Sequence, residues 1–145
     1  MNIKLALVIS EFNKEITDLM ERSAIARLEE IRLDNYKIVK VPGALELPII
    51  AKKLAKTGTY DAIILLGAVI RGETDHYDYV CSQISYGSQK IALEEMVPII
   101  FGVLTCDTEE QALDRIGGSQ GNKPKEMVDI ALYMGNLMKE IGSNG

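Results

Sequence analysis

Four runs of apolar and β-branched residues, each followed by a stretch with helical spacing, constrain this chain more than any other feature. They occupy residues 3–9, Tyr36–Val41, 61–69 and 97–104. The first is apolar except for Lys4 and the third is apolar almost throughout, as expected of strands covered on both faces. Over residues 14–33, Ile16, Leu19, Met20, Ala24, Ile25, Leu28 and Ile31 recur at three- and four-residue steps, one face of an amphipathic helix. Asn13 is its expected N-cap, with Glu15 in the first turn. Pro42-Gly43 stops the second strand, and residues 46–55 read as a helix that tolerates Pro48 in its first turn. A third helix is expected over 77–95. The fourth strand carries an early proline, Pro98. Thr108-Glu109-Glu110-Gln111 then resembles a capping box opening a short helix to Arg115. A glycine-rich loop, 117–121, leads into a last helix from about Lys123 to Ile141, with residues 142–145 expected to fray.

Connections this long cannot be hairpins. They demand a parallel sheet wrapped by helices on both faces. The expected fold is α/β: a three-layer αβα sandwich around a four-stranded parallel sheet, flavodoxin-like. At 145 residues one core is expected, hence a single domain over 1–145. Net charge is −5, Lys and Arg are scattered, and there is no Trp, so a nucleic-acid partner has no electrostatic support. The longest apolar run, inside 62–70, is far short of the ~20 residues that a bilayer requires. The amino-terminal segment reads as a strand rather than a signal peptide, and no membrane partner is expected. Cys81 and Cys106 lie far apart without metal-ligand spacing, which suggests reduced thiols in a cytoplasmic protein and no metal site.

Ligands of such sheets bind outside the carboxyl ends of the strands. Here those ends are residues 10–13, 41–46, 68–76 and 105–108, and the unusual residues collect there. The stretch 67–80 carries the only histidine, His76, directly behind Gly72-Glu73-Thr74. A glycine turn entering a helix offers unpartnered N–H groups to an anion, and an imidazole beside it has something to act on. A lone histidine is as often structural as catalytic; this position favours proton transfer. Gly72, Glu73 and Thr74 read either as a phosphate cradle or as a plain N-cap at Thr74, and the two are compatible. Arg115 and Lys123 flank the glycine loop, so they are either solvated or converge on one anion. Phe12 packs in the core or stacks on a flat ring, while Phe101 suits a core or a subunit interface. Gly43, Ala44, Leu45 and Glu46 form either a tight turn or a seat for a polyol. Together these residues suggest a phosphate-bearing small molecule and proton-transfer chemistry.

Four segments, 11–13, 41–48, 67–80 and 102–123, taken in this order and spacing, resemble the lumazine synthase family over nearly the whole chain. The resemblance implies condensation of 5-amino-6-(D-ribitylamino)uracil with 3,4-dihydroxy-2-butanone 4-phosphate to 6,7-dimethyl-8-ribityllumazine, phosphate and water, the penultimate step of riboflavin biosynthesis. It implies no metal and no cofactor. Phe12 and Asn13 would face the pyrimidine, Gly43, Ala44, Leu45 and Glu46 the ribityl chain, and Val69 and Ile70 the uracil through backbone groups. Gly72, Glu73, Thr74 and Arg115 would bind phosphate, and His76 would shuttle protons. Phe101, Arg115 and Lys123 would come from a neighbouring copy, implying a homo-oligomer, a pentamer or a 60-subunit shell, with interfacial active sites. Riboflavin synthase is a candidate partner. Leu45 departs from the family pattern where an aromatic is usual, and Pro124 where glycine is usual. The short segment before Ile3 points towards free pentamers, and the absence of an insertion between Arg115 and Lys123 points towards shells. Two other readings use the same fold. A non-catalytic flavin-binding module explains Phe12 and Gly72–Thr74 but gives His76 and Arg115 no joint role; against a purely shell-forming protein stand the intact site residues.

Overall fold

Every residue from Leu5 to Ser10 is buried, and this strand, β1, lies inside a four-stranded parallel sheet. The computed structural model describes residues 2–143. After β1 come α1 (Lys14–Glu30), β2 (Tyr36–Val41), a 3-10 turn (Ala44–Glu46), α2 (Leu47–Ala55) and β3 (Ala62–Ile70). α3 (His76–Glu95), β4 (Ile99–Cys106) and α4 (Glu109–Asp114) follow, then the short strands β5 (Ile116–Gly118) and β6 (Gly121–Asn122), and α5 (Lys123–Ser143). The sheet order is β2-β1-β3-β4, the flavodoxin-like arrangement.

Alternation along the inner strands divides the core in two. Leu5, Leu7, Ile9, Ile64 and Leu66 pack with Met20 and Leu28 of α1 and Val128 and Ala131 of α5. Ala6, Val8, Ile63 and Leu65 turn the other way, onto Leu47 and Ala51 of α2 and Ile84 and Ile91 of α3. Two covered faces explain the nearly continuous apolar runs. Each large aliphatic chain so buried contributes about 1.5–3 kcal/mol.

The departures from the expected boundaries have local causes. α1 stops three residues short of Leu33, because Arg32 takes a left-handed conformation (φ 57°). Leu33 N–H then bonds Leu28 O and Arg32 N–H bonds Glu29 O, a Schellman closure with arginine in the usual glycine position. β4 begins at Ile99 rather than Val97, since Pro98 has no N–H; its carbonyl still accepts from Ile63 N–H at 2.9 Å. Residues 44–46 tighten into a 3-10 turn before α2, and α3 starts one residue early, at His76. Thr108 caps α4 by accepting from Gln111 N–H at 3.1 Å, but the Gln111 side chain reaches back to Asp107 N–H instead of Thr108's. The glycine loop 117–121 forms most of the small antiparallel β5–β6 hairpin. α5 includes Gly142 and Ser143, so the expected fraying does not begin there; Asn144 and Gly145 lie outside the described residues.

Gly102 lets β4, β3 and α5 meet. A Cβ there would lie 2.8 Å from Leu65 O, 2.8 Å from Leu66 Cδ2 and 2.9 Å from Met127 Cγ. Since a ladder carbonyl cannot step aside, Gly102→Ala should cost about 1–3 kcal/mol by overpacking. Urea unfolding should show a lower midpoint at unchanged slope.

Candidate active site

The sheet order reverses between β1 and β3: from β1 the chain turns to β2 on one side, and β3 lies on the other. The loops leaving β1 and β3 therefore diverge and leave a crevice. It is a cavity of about 340 Å³. Phe12 and Asn13 line it from the β1 loop, Gly43, Ala44, Leu45 and Glu46 from the β2 loop, and Ala68, Val69, Ile70, Gly72 and Thr74 from β3 and its loop. His76, Tyr77 and Val80 of α3 complete the wall.

The β1 loop is stitched to its neighbours through backbone groups. Glu11 N–H donates to Val41 O at 2.8 Å and Phe12 N–H to Pro42 O at 2.9 Å. Held this way, the Phe12 ring stands 72% exposed at the cavity mouth, with Leu45 also exposed. It is therefore not a core residue, and its apolar face is open to a ligand ring. Asn13 occupies the expected N-cap position, but its side chain makes no cap. It adopts a left-handed conformation (φ 62°) and donates from Nδ2 to Ala68 O at 2.9 Å, tying β1's end to β3.

β3 outruns β1. Their pairing ends at Ile9 opposite Leu66, whereas β3 continues alongside β4 until Ile70 faces Cys106. Backbone groups on the β1 side of residues 67–70 thus border the cavity rather than a strand. Arg71 N–H turns to Cys106 O on the β4 side, so by alternation Ala68 and Ile70 address the β1 side. Asn13 takes the Ala68 carbonyl, while the Ile70 N–H and C=O border the cavity. In the β2 loop Glu46 Oε1 accepts from Gly43 N–H at 2.8 Å, closing the turn and leaving the other carboxylate oxygen for a ligand.

At the far end, Thr74 Oγ1 accepts from His76 N–H at 3.3 Å, doing the capping work while Asp75 occupies the N-cap position without a side-chain bond. Among the described residues, Gly72, Glu73 and Thr74 donate no backbone hydrogen bond, and a Cβ at Gly72 would meet open space. These N–H groups suit an anion at the head of α3. Glu73 is exposed and outside the cavity lining.

Arg115, Lys123 and Phe101 lie elsewhere. Arg115 and Lys123 line a separate cavity of about 260 Å³ beside the end of β4, with Thr105, Cys106, Gln120 and Glu126. The hairpin brings the two basic residues together, because Lys123 N–H donates to Arg115 O at 2.7 Å. Arg115 Nη1 also caps α4 through Gln111 O. Burial pushes the Cys106 thiol up, with Arg115 and Lys123 opposing that shift. Phe101 is half-buried on the α2–α3 side of the sheet, outside both cavities.

Ala68, Tyr77 and Val80 belong to the wall although the sequence reading passed over them. Tyr77 and Val80 are three residues apart on one helix, a signal that looks like ordinary core. Burial raises the Tyr77 hydroxyl's pKa, with a hydrogen bond to Thr105 working against it. Among the described residues, no three His, Cys, Asp or Glu side chains gather as metal ligands, and no helix is long and apolar enough to cross a membrane.

Residues 2–139 match the family described as 6,7-dimethyl-8-ribityllumazine synthase. The chain is 54% identical over 142 residues to the 6,7-dimethyl-8-ribityllumazine synthase of Coxiella burnetii strain Dugway 5J108-111, covering 97% of this chain and 94% of that protein. It is 53% identical, over the same shares, to the enzymes of that name from strains CbuG_Q212 and RSA 493 / Nine Mile phase I.

The cross-link at Asn13 separates two costs. Both Asn13→Gly and Asn13→Ala lose the bond to Ala68, but Gly also relieves the left-handed strain, whereas Ala keeps a Cβ in that conformation, at about 1–2 kcal/mol. Chemical denaturation should therefore rank the Ala variant below both the Gly variant and the parent.

Proposed function

Because the chain belongs to the 6,7-dimethyl-8-ribityllumazine synthase family, we propose that the cavity at the ends of β1 and β3 is where it performs that family's condensation. The chain is a transferase of riboflavin biosynthesis. It joins 5-amino-6-(D-ribitylamino)uracil to 3,4-dihydroxy-2-butanone 4-phosphate, giving 6,7-dimethyl-8-ribityllumazine, phosphate and water. One observation carries the assignment of the site. A single crevice presents an exposed aromatic ring, an unpaired strand edge, a turn with a free carboxylate oxygen, an anion loop and an imidazole.

In this reading Phe12 stacks on the pyrimidine, with Asn13 beside it. Ile70 and its neighbour Val69 bound the uracil edge. Gly43, Ala44, Leu45 and Glu46 seat the ribityl chain, and Gly72, Glu73 and Thr74 receive the phosphate through backbone N–H groups and the Thr74 hydroxyl. The 5-amino group attacks the ketone, and loss of water gives a Schiff base. Phosphate then leaves, and the ribityl-bearing nitrogen attacks the remaining carbonyl and closes the second ring with loss of a second water. His76, two residues beyond Thr74, moves the protons that these steps require. Holding two substrates in one crevice supplies much of the acceleration.

Arg115, Lys123 and Phe101 cannot join this crevice within one chain as folded, which supports an assembly in which a second copy supplies them. A ring of five is the smallest such assembly proposed, and a 60-subunit shell would be built from such rings. The reaction belongs to the cytoplasm, where free Cys81 and Cys106 stay reduced. Riboflavin synthase, as consumer of the lumazine, is the candidate partner.

Mixing the protein with both substrates and following lumazine absorbance tests the reading directly; formation no faster than the spontaneous background would sink it. His76→Ala should lower kcat by about tenfold to a hundredfold without abolishing turnover, since positioning survives. Arg115→Ala should chiefly weaken use of the phosphate-bearing substrate, by about tenfold or more in kcat/KM, as loss of a charged phosphate ligand does.

A further inference from the structure

We propose that Arg71 is a positioning residue for the anion loop: its guanidinium fastens both ends of residues 72–75, thereby holding the phosphate seat and His76 in register. The inference rests on the reading of that loop as the phosphate site. Arg71 is the first residue beyond β3. Its N–H donates to Cys106 O at 2.9 Å, extending the ladder with β4 by one step. Its Nε donates to Asp107 Oδ1 at 2.8 Å, just past the end of β4. Nη2 lies 3.4 Å from Asp78 Oδ1 in the first turn of α3, and Cζ lies 4.3 Å from the centre of the Tyr77 ring.

One side chain thus touches the end of β4 and the start of α3, while its own backbone marks where the loop begins. Only four residues separate it from His76. Those four include an unhindered glycine and are exposed; among the described residues, apart from Arg71, they are held only at the α3 end, where Thr74 Oγ1 accepts from His76 N–H and Asp75 O from Asp78 N–H. A loop fixed at both ends loses less entropy when an anion orders it. Tyr77 links this clamp to the cavity, because its ring is both a wall of the crevice and the surface on which the guanidinium rests. Two carboxylates face the one guanidinium, so it presents little net positive field to a substrate. Its pKa is raised, with the bond to Asp107 as the largest cause, which agrees with a charge already engaged. The role is geometric rather than that of a ligand.

These two roles give opposite signs for Asp107→Asn. If Arg71 is a clamp, losing its anchor weakens phosphate binding; if it is a direct ligand, releasing it from a competing carboxylate strengthens binding. The experiment measures KM for each substrate and the inhibition constant of inorganic phosphate in Arg71→Met, Arg71→Lys, Asp107→Asn and Thr74→Val. Arg71→Met and Asp107→Asn should each raise KM for the butanone phosphate and the phosphate inhibition constant about three- to tenfold, as expected for a half-exposed charge network. KM for the pyrimidine should stay within about twofold, because its seat lies on other loops. Arg71→Lys should recover only part of the loss, since an ammonium lacks the planar fork. Tighter phosphate in Asp107→Asn would overturn the clamp, as would equal changes in both KM values. If Thr74→Val weakens phosphate binding and Arg71→Met does not, the clamp fails while the phosphate seat stands. If neither does, the seat itself is misassigned and the clamp falls with it. Should Arg71→Met fail to fold, Asp107→Asn alone still decides the sign.

Discussion

The unequal lengths of β1 and β3 are the constraint on which the site depends. A parallel ladder satisfies backbone groups only where two strands run side by side. Pairing between them stops at Leu66, and β3 continues with β4 alone. The vacated edge cannot be left in an apolar interior, so it becomes the wall of an open crevice. The same offset puts the β1 and β2 loops on one side of that crevice and the head of α3 on the other.

Around this edge the loops are stiffened from within. Asn13 spans to Ala68, Glu46 closes its own turn onto Gly43, and the β1 loop hangs from Val41 and Pro42 by two backbone bonds. Each device removes freedom that substrate binding would otherwise have to remove. The left-handed conformation of Asn13 is a local strain that the bond to Ala68 offsets. That combination of strain and cross-link is common where geometry must be held for a ligand. Condensation of two substrates gains from such rigidity, because the entropy of bringing the reactants together is part of its barrier.

Arg115 and Lys123 show where a grouping by sequence and a grouping in space part company. They come together because the loop folds into a hairpin that returns Lys123 to Arg115. Yet they converge on their own cavity beside β4, apart from His76. Phe101 likewise faces neither cavity. Among the described residues, no Lys or Arg lines the crevice.

Much of this protein was legible without coordinates. Two-face burial writes itself into residues 5–9 and 62–66 as unbroken apolar runs, and a parallel sheet leaves its ligand site at strand ends, where His76, Phe12 and Gly72 already stood out. Tyr77 and Arg71 were not legible, since one looks like a helix-face aromatic and the other like a solvated cation. What sets them apart is long-range contact: Arg71 reaches Asp107 and Asp78, and the Tyr77 ring lies under its guanidinium. Asn13 stands at a helix start as its residue type suggests, but its side chain bonds Ala68 O, 55 residues away in the chain, instead of capping the helix. The sequence by itself determined the layers, the strand order's feasible class and the residues available at the strand ends, because periodicity and turn chemistry are local. Only the tertiary structure decided how far β3 outruns β1, which backbone groups remain free, and which cations reach which cavity. Those are properties of register and long-range contact, and no local pattern encodes them.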